Sequence, residues 1–384
     1  MKGLIISQPN VSFVDLATGV RHNHIWKYLQ MGGWKSIKPN NFEYNNLKGV
    51  LKRNEWKPVI GDLMPIHPGM IWDGSTKTII DPTYLPQAIE PGMNNFLNAA
   101  DAFFRKYDKK RIGVQLSGGL DSSIIIGLLR HLGIPFHLVG MATNRYEFRT
   151  ERYIQEIIRK WTECSTLIDY EQHLPMSNLE DIPPFQYPDL LALNFSSERA
   201  MAEECQQQGV QVLFTGDGGD NLFAESVPDN PEECTWLPQV FSDSWLADIV
   251  YAPCGIELVP FYADPGIMDV VYNLRRGQVE DNSKLWARNF FKDFLPLELV
   301  NFSYCADFWG LYIDGLQQAV PKVHKLFKTA HEISGHHFFS EVVAKELLGQ
   351  DLLHAKKEIY QVIEARASLA LWLNILNKNE LIGL

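Results

Sequence analysis

VQLSGGLDSSIIIGLL, Val114 to Leu129, sets two glycines, three serines and one aspartate between a short apolar run and a longer one. The run leading in, RIGVQL, reads as a strand, and the run from Asp121 to Leu132 reads as a helix. Gly118 and Gly119 allow a turn in which successive backbone N–H groups face one concavity, and the helix start adds its partial positive charge. Ser117, Ser122 and Ser123 add hydroxyl donors. Such a loop suits an anion, so the carboxylate of Asp121 inside it needs a reason. Mg²⁺ gives one, because it is held by one or two carboxylates together with phosphate oxygens. A capped helix start, with Ser117 or Asp121 satisfying orphan N–H groups, is the plainer alternative. Position after a strand, where open α/β sheets bind ligands, favours the site. The loop lacks the Gly-Lys-Ser/Thr ending of a Walker A sequence and is not Gly-x-Gly-x-x-Gly, so dinucleotide binding is not indicated.

Working outward, strands and helices alternate. PFHLVGMA reads as a second strand, and Glu151 to Trp161 as a helix with Tyr153, Ile154, Ile157, Ile158 and Trp161 on one face. STLIDY follows as a strand, SSERAMAEECQQQG as a helix stopped at Gly209, and VQVLFTG as a fourth strand. This pattern predicts an α/β fold: a doubly wound parallel sheet with helices on both faces. Residues 1–92, with short pieces such as KPVIGDL and KTIIDPTYL, predict a small β-containing region. A boundary near Pro91 opens a second domain, 93–384, on a helix whose Phe96, Ala99, Phe103 and Phe104 recur at helical spacing. Its last part, 243–384, reads as a mostly helical extension.

The fourth strand leads into a second glycine-rich turn. VLFTGDGGDNLF, Val212 to Phe223, carries Asp217 and Asp220. Alone it reads as readily as a surface turn. Paired with the first loop it supplies a second carboxylate at the end of a second strand.

LSGGLDSS and TGDGGDNLF together resemble the paired signatures of the asparagine-synthetase-like branch of the PP-loop ATP pyrophosphatases, which includes β-lactam and lasso-peptide macrolactam synthetases. Asn221 stands where an acidic residue is common. LMPIHPGMIWD (63–73) is similar to the segment closing the family's glutaminase-like domain, and LVPFYADPGIMDVV, SKLWARNFF and LPLELVNF to its helical half. The resemblance implies the PP-loop, adenine nucleotide α-hydrolase-like type of sheet. It also implies ATP as cofactor, split between the α- and β-phosphates by a substrate carboxylate to give an acyl-adenylate and pyrophosphate. An amine then displaces AMP. By position, Ser117, Gly118, Gly119, Asp121 and Ser122 are expected at pyrophosphate, Leu116 and Gly216 among the nucleotide-binding residues, and Asp121 with Asp220 at Mg²⁺. Asp217 is expected beside the acyl transfer as a polar or basic group.

Two departures shape the expectation. Glutamine-dependent members expose an N-terminal cysteine, whereas this sequence begins Met1-Lys2-Gly3 and its first cysteine is Cys164. The N-terminal region is also short for a complete glutaminase domain, so it reads as a reduced, inactive remnant, and the amine is expected from a source other than glutamine. After LPLELVN the family supplies a lysine for the charge that develops in acyl transfer; here Tyr304 falls at about that place, a weaker stabiliser as a neutral phenol. Lys284 or Arg288, in the SKLWAR segment, are candidates to replace it, or are charges on a helix surface.

The 384 residues are 46% hydrophobic and 21% charged, enough for a sizeable core, and the net charge of −11 argues against nucleic acid as a partner. Five cysteines, far apart and odd in number, predict reduced thiols and a cytoplasmic protein. No apolar run approaches the ~20 residues of a membrane span. His336 and His337 have no third ligand spaced near them, and PKVHKLFK reads as a solvated helix face. The expected function is an ATP- and Mg²⁺-dependent amide synthetase acting on a peptide or natural-product intermediate, with lasso-type macrolactam formation the sharpest version. Its expected partners are a precursor peptide and other proteins of that biosynthesis. Ammonia-dependent asparagine formation and a nucleotide-binding scaffold without activity are the alternatives.

Overall fold

The computed structural model describes residues 86–185, 188, 190–230, 247–301, 309–349 and 357–378, with the short pieces 4–6, 12–15, 63–66, 71–73 and 78–80 and residues 18, 21 and 22. The N-terminal pieces are β1 (Leu4–Ile6), β2 (Ser12–Asp15), β3 (Arg21–His22), β4 (Leu63–Ile66), β5 (Ile71–Asp73) and β6 (Thr78–Ile80). They form two antiparallel three-stranded sheets, ordered β1-β5-β6 and β3-β2-β4. The 63–73 stretch thus sends β4 to one sheet and β5 to the other.

The helix predicted from Phe96 onward is α1 (Met93–Arg105), with Phe96, Phe103 and Phe104 buried. Then β7 (Ile112–Gln115), α2 (Leu120–His131), β8 (His137–Ala142), α3 (Arg149–Ile158), β9 (Ser165–Asp169), α4 (Phe195–Gln207) and β10 (Val212–Thr215) follow. A short α5 (Gly219–Phe223) continues from the second glycine loop. The four predicted strands are all present and all parallel, in the order β10-β7-β8-β9.

The fifth strand, β11 (Glu257–Pro260), is a correction to the helical reading of 243–384. It pairs with β10 from Val212↔Glu257 to Thr215↔Pro260. Glu257-Leu-Val-Pro is too short to show a period of its own, and the edge of β10 decides its state. The rest of that region is helical: α6 (Pro265–Arg275), α7 (Leu285–Phe290), α8 (Leu297–Asn301), α9 (Trp309–Ser334), α10 (Glu341–Leu348) and α11 (Lys357–Lys378).

Strand alternation divides two cores between the faces of the sheet. Val212 and Phe214 face one core and Leu213 the other, just as Leu138 and Val139 part company in β8. The first core joins α1, α2, α3 and α6 through residues such as Phe104, Ile125, Ile154 and Val271. The second packs α4, α9, α10 and α11 around Met201, Leu316, Phe327 and Trp372. On α3 the predicted apolar face holds at Ile154 and Ile158, but Tyr153 is 55% exposed, because the buried stripe runs through Glu151, Ile154, Gln155 and Ile158 and leaves Tyr153 to one side. Within PKVHKLFK, Val323 and Phe327 are buried while Lys322 and Lys328 are exposed, so that face is only partly solvated.

Candidate active site

Both glycine loops open at the carboxyl ends of adjacent strands, β7 and β10, which pair in register from Val212↔Ile112 to Phe214↔Val114. In the first, Gly118 has φ +83°, and a Cβ there would overlap the backbone carbonyl of Glu151. Only glycine fits that conformation at that contact. Inside the turn, Ser117 Oγ accepts from Gly119 N at 3.1 Å and lies 2.8 Å from Ser122 Oγ, while Ser123 Oγ donates to Gly119 O at 2.6 Å. The plain capped-start reading is met only in part: no side chain caps the first turn of α2. Its leading N–H groups are therefore available to an anion.

The second loop repeats the device. Gly218 has φ +86°, and a Cβ on Gly219 would run into the Asp121 carboxylate. The two loops thereby close on each other, and Tyr262, buried after β11, donates to Asp121 O at 2.8 Å to hold the start of α2. Asn221 Nδ2 donates to Glu225 Oε1 at 2.6 Å, so the residue that departs from the family's acidic position braces α5 from within.

Lys284 joins the loops. Its Nζ lies 2.6 Å from Asp121 Oδ2, 2.8 Å from Asp121 Oδ1 and 2.5 Å from Asp220 Oδ1. The side chain is 12% exposed, so it is no surface charge. Asp281 makes this possible: its carboxylate accepts from Ser283 N, Ser283 Oγ and Leu285 N, which folds the chain so that Lys284 takes φ +51° ahead of α7. Arg288 is buried too and works on the backbone, donating from Nε to Ser283 O at 2.9 Å and from Nη1 to Leu299 O. Burial pushes the Asp121 carboxyl up, and Lys284 opposes it. Burial also works against the Lys284 charge, but Asp121 and Asp220 outweigh it and hold the ammonium above its ordinary value.

Of the sequence-predicted residues, Ser117, Gly118, Gly119, Asp121, Ser122, Gly216, Asp220 and Lys284 come together here. Gly216 lies against the first turn of α2, where a Cβ would stand 3.1 Å from Ser122 N. Asp217 is on the same loop but turns back, its Oδ2 accepting from Thr215 Oγ1 at 2.6 Å. Tyr304 lies outside the described residues.

Leu116 and Ser117 also wall a cavity of about 350 Å³ at the ends of β7 and β8. Gln155, on α3, spans its floor, donating to Leu116 O at 3.0 Å and Met141 O at 2.8 Å. Its far wall is Asn194, Ser197 and Glu198 with Tyr170. Sequence reading missed this wall, because SSER looks like an ordinary helix start with an acidic first turn.

Asp121 and Asp220 suit Mg²⁺: they are two oxygen donors from separate loops that already converge on one cation, with phosphate-directed N–H groups beside them. Among the described residues no group of three or more His, Cys, Asp and Glu gathers, at this site or away from it, and His331 Nδ1 is 2.9 Å from His336 O.

A parallel sheet with paired glycine loops and converging carboxylates at adjacent strand ends defines an α/β domain with its candidate site at the carboxyl end of the sheet. Residues 105–247 match the asparagine synthase family model. A probable glutamine-hydrolysing asparagine synthetase of Acanthamoeba polyphaga mimivirus is 24% identical over 229 residues, which take in 55% of this chain and 41% of the relative. The chain thus matches about two-fifths of that relative's length. Among solved structures, the NAD⁺ synthetase of Burkholderia pseudomallei aligns with 14% identity over 55% of this chain and 90% of that one, at a TM-score of 0.25.

Proposed function

We propose that the protein is an ATP-dependent amide-forming synthetase that activates a substrate carboxylate by adenylation. One observation carries this reading: Asp121 and Asp220, from loops a hundred residues apart in the chain, meet at a single cation beside an uncapped helix start. The Ser117–Ser122 loop binds the β- and γ-phosphates through N–H and hydroxyl donors. Because the cavity shares Leu116 and Ser117 with that loop, the nucleoside lies at that end of it, across from the Asn194–Glu198 wall. Asp121 and Asp220 would hold Mg²⁺, which would supply charge to stabilise the leaving pyrophosphate. Lys284 brings a second positive charge to the same point and takes the stabilising part expected of the family's lysine.

The amine comes from the substrate itself or from a second molecule rather than from glutamine. Among the described cysteines, Cys205 is buried with its thiol pushed up to about 12, burial also raises Cys254, and Cys164 leads into the amino end of β9, away from the site. None is placed as a nucleophile for glutamine. A peptide or natural-product intermediate, closed into a macrolactam, is the substrate class we favour. Magnesium-dependent exchange of labelled pyrophosphate into ATP, screened over linear peptides with side-chain carboxylates, tests it. ADP and phosphate as products would contradict adenylation, and exchange driven by aspartate with ammonia as acceptor would favour asparagine formation.

A further inference from the structure

A buried carboxylate needs a cation or a proton for company. The Asp121–Asp220 pair has Lys284. A second pair, the half-buried Glu198 at the start of α4 and the exposed Asp217 after β10, is hydrogen-bonded by hydroxyls and, among the described residues, is ion-paired with neither lysine nor arginine. Glu198 lines the cavity, and its Oε2 accepts from the buried Tyr251 hydroxyl at 2.6 Å. The groups facing it are Tyr251 from the Ala247–Tyr251 turn, Asp217 from the second glycine loop and Tyr170 from the end of β9. On the α3 side of the cavity, Arg152 is engaged by Glu156 at 2.9 Å. Burial, with Asp217 adding to it, pushes the Glu198 carboxyl up to about 7.

Next to Glu198 on the same wall, Asn194 donates from Nδ2 to the Tyr312 hydroxyl at 2.7 Å while its buried Oδ1 has no donor. The wall therefore offers acceptors and aromatic surface, the environment that recognises an ammonium ion.

We propose that this wall receives the amine half of the substrate as a primary ammonium and that Glu198 takes its proton. The assignment rests on the amide-forming reading above. R–NH₃⁺ docks on the Glu198 carboxylate and transfers one proton to it, which frees the nitrogen lone pair. That lone pair forms the C–N bond to the acyl carbon as the C–O bond to AMP breaks, its electrons leaving on the phosphate, and the second N–H proton passes to water. Tyr251 acts as a positioning residue for the carboxylate.

The test uses the full chain, α,β-methylene-ATP with Mg²⁺, and n-propylammonium chloride as probe, with tetramethylammonium chloride at equal ionic strength for comparison. Calorimetry should show saturable propylammonium binding that weakens about tenfold or more in Glu198→Gln, while affinity for the nucleotide analogue stays within about twofold. Carbon-13 NMR of glutamate-labelled wild-type protein should show the Glu198 titration midpoint fall on adding propylammonium, a readout that needs no variant. Tyr251→Phe should weaken the probe and leave the nucleotide alone. Equal propylammonium affinity in Glu198→Gln, or equal binding of tetramethylammonium, would overturn the proposal. So would a loss of nucleotide affinity in Glu198→Gln, which would assign this carboxylate to the nucleoside. A wild-type protein that binds propylammonium but no nucleotide would leave the amine wall standing and refute the amide-forming reading instead.

Discussion

Two pairs of carboxylates lie on or beside the glycine loops, one of them reaching the cavity through Glu198, and they are held differently. Asp121 and Asp220 share one ammonium from Lys284, and their loops are glycine-lined so that both carboxylates reach it. Glu198 and Asp217 are held by hydroxyls from Tyr251 and Thr215, and partial burial in the cavity wall raises the Glu198 carboxyl. A pair with a built-in cation stays charged and can exchange that cation's company for a metal and phosphates. A pair without one stays near its proton, which suits it to take a proton from an incoming amine.

Four variants break or sharpen this contrast, from the largest expected effect to the smallest. Asp121→Ala should cut pyrophosphate release by about 10²–10³-fold or more, since it removes the carboxylate common to cation and loop; a pyrophosphate-coupled assay reads it. Gly118→Ala should destabilise the fold by about 2–4 kcal/mol in urea unfolding, combining the left-handed φ with overlap at Glu151 O. Unchanged stability would mean that the first loop is looser than its contacts require.

Lys284→Met should cost about 1–3 kcal/mol near neutral pH, because it leaves Asp121 and Asp220 facing each other. The loss should shrink in acid as the carboxyls protonate, and Mg²⁺ should raise the thermal midpoint of this variant more than that of the wild type. Glu198→Gln should have the smallest effect, and one with a sign. Glu198 is raised from 4.5 to about 7, so in the wild type the protonated native state is favoured at low pH and that advantage fades as pH rises through about 7. Wild type should therefore lose about 1–2 kcal/mol more than the variant between pH 5 and 8, measured by urea unfolding at each pH.

Much of the phosphate side was legible in sequence. Gly118 and Gly216 fall just past strand ends, where backbone approaches backbone, and composition marks such places. Lys284 was legible only as one of two options, because nothing in SKLWAR tells a buried cation from a surface one. The Asp281 turn and the burial of Arg288 make that distinction. β11 was misread as part of a helical region because four residues carry too little pattern against the pairing offered by β10.

By itself the sequence determined the alternation of strands and helices, the parallel sheet and the two loops, since these depend on local periodicity and on glycine's access to positive φ. Only the tertiary structure decided which charges share a space. Asp121 meets Lys284 across 163 positions of chain, and Glu198 meets Tyr251 across 53, through contacts made by packing rather than by local pattern. Whether a buried carboxylate has a cation beside it is a property of that packing, and it separates the metal-ready pair from the proton-ready one.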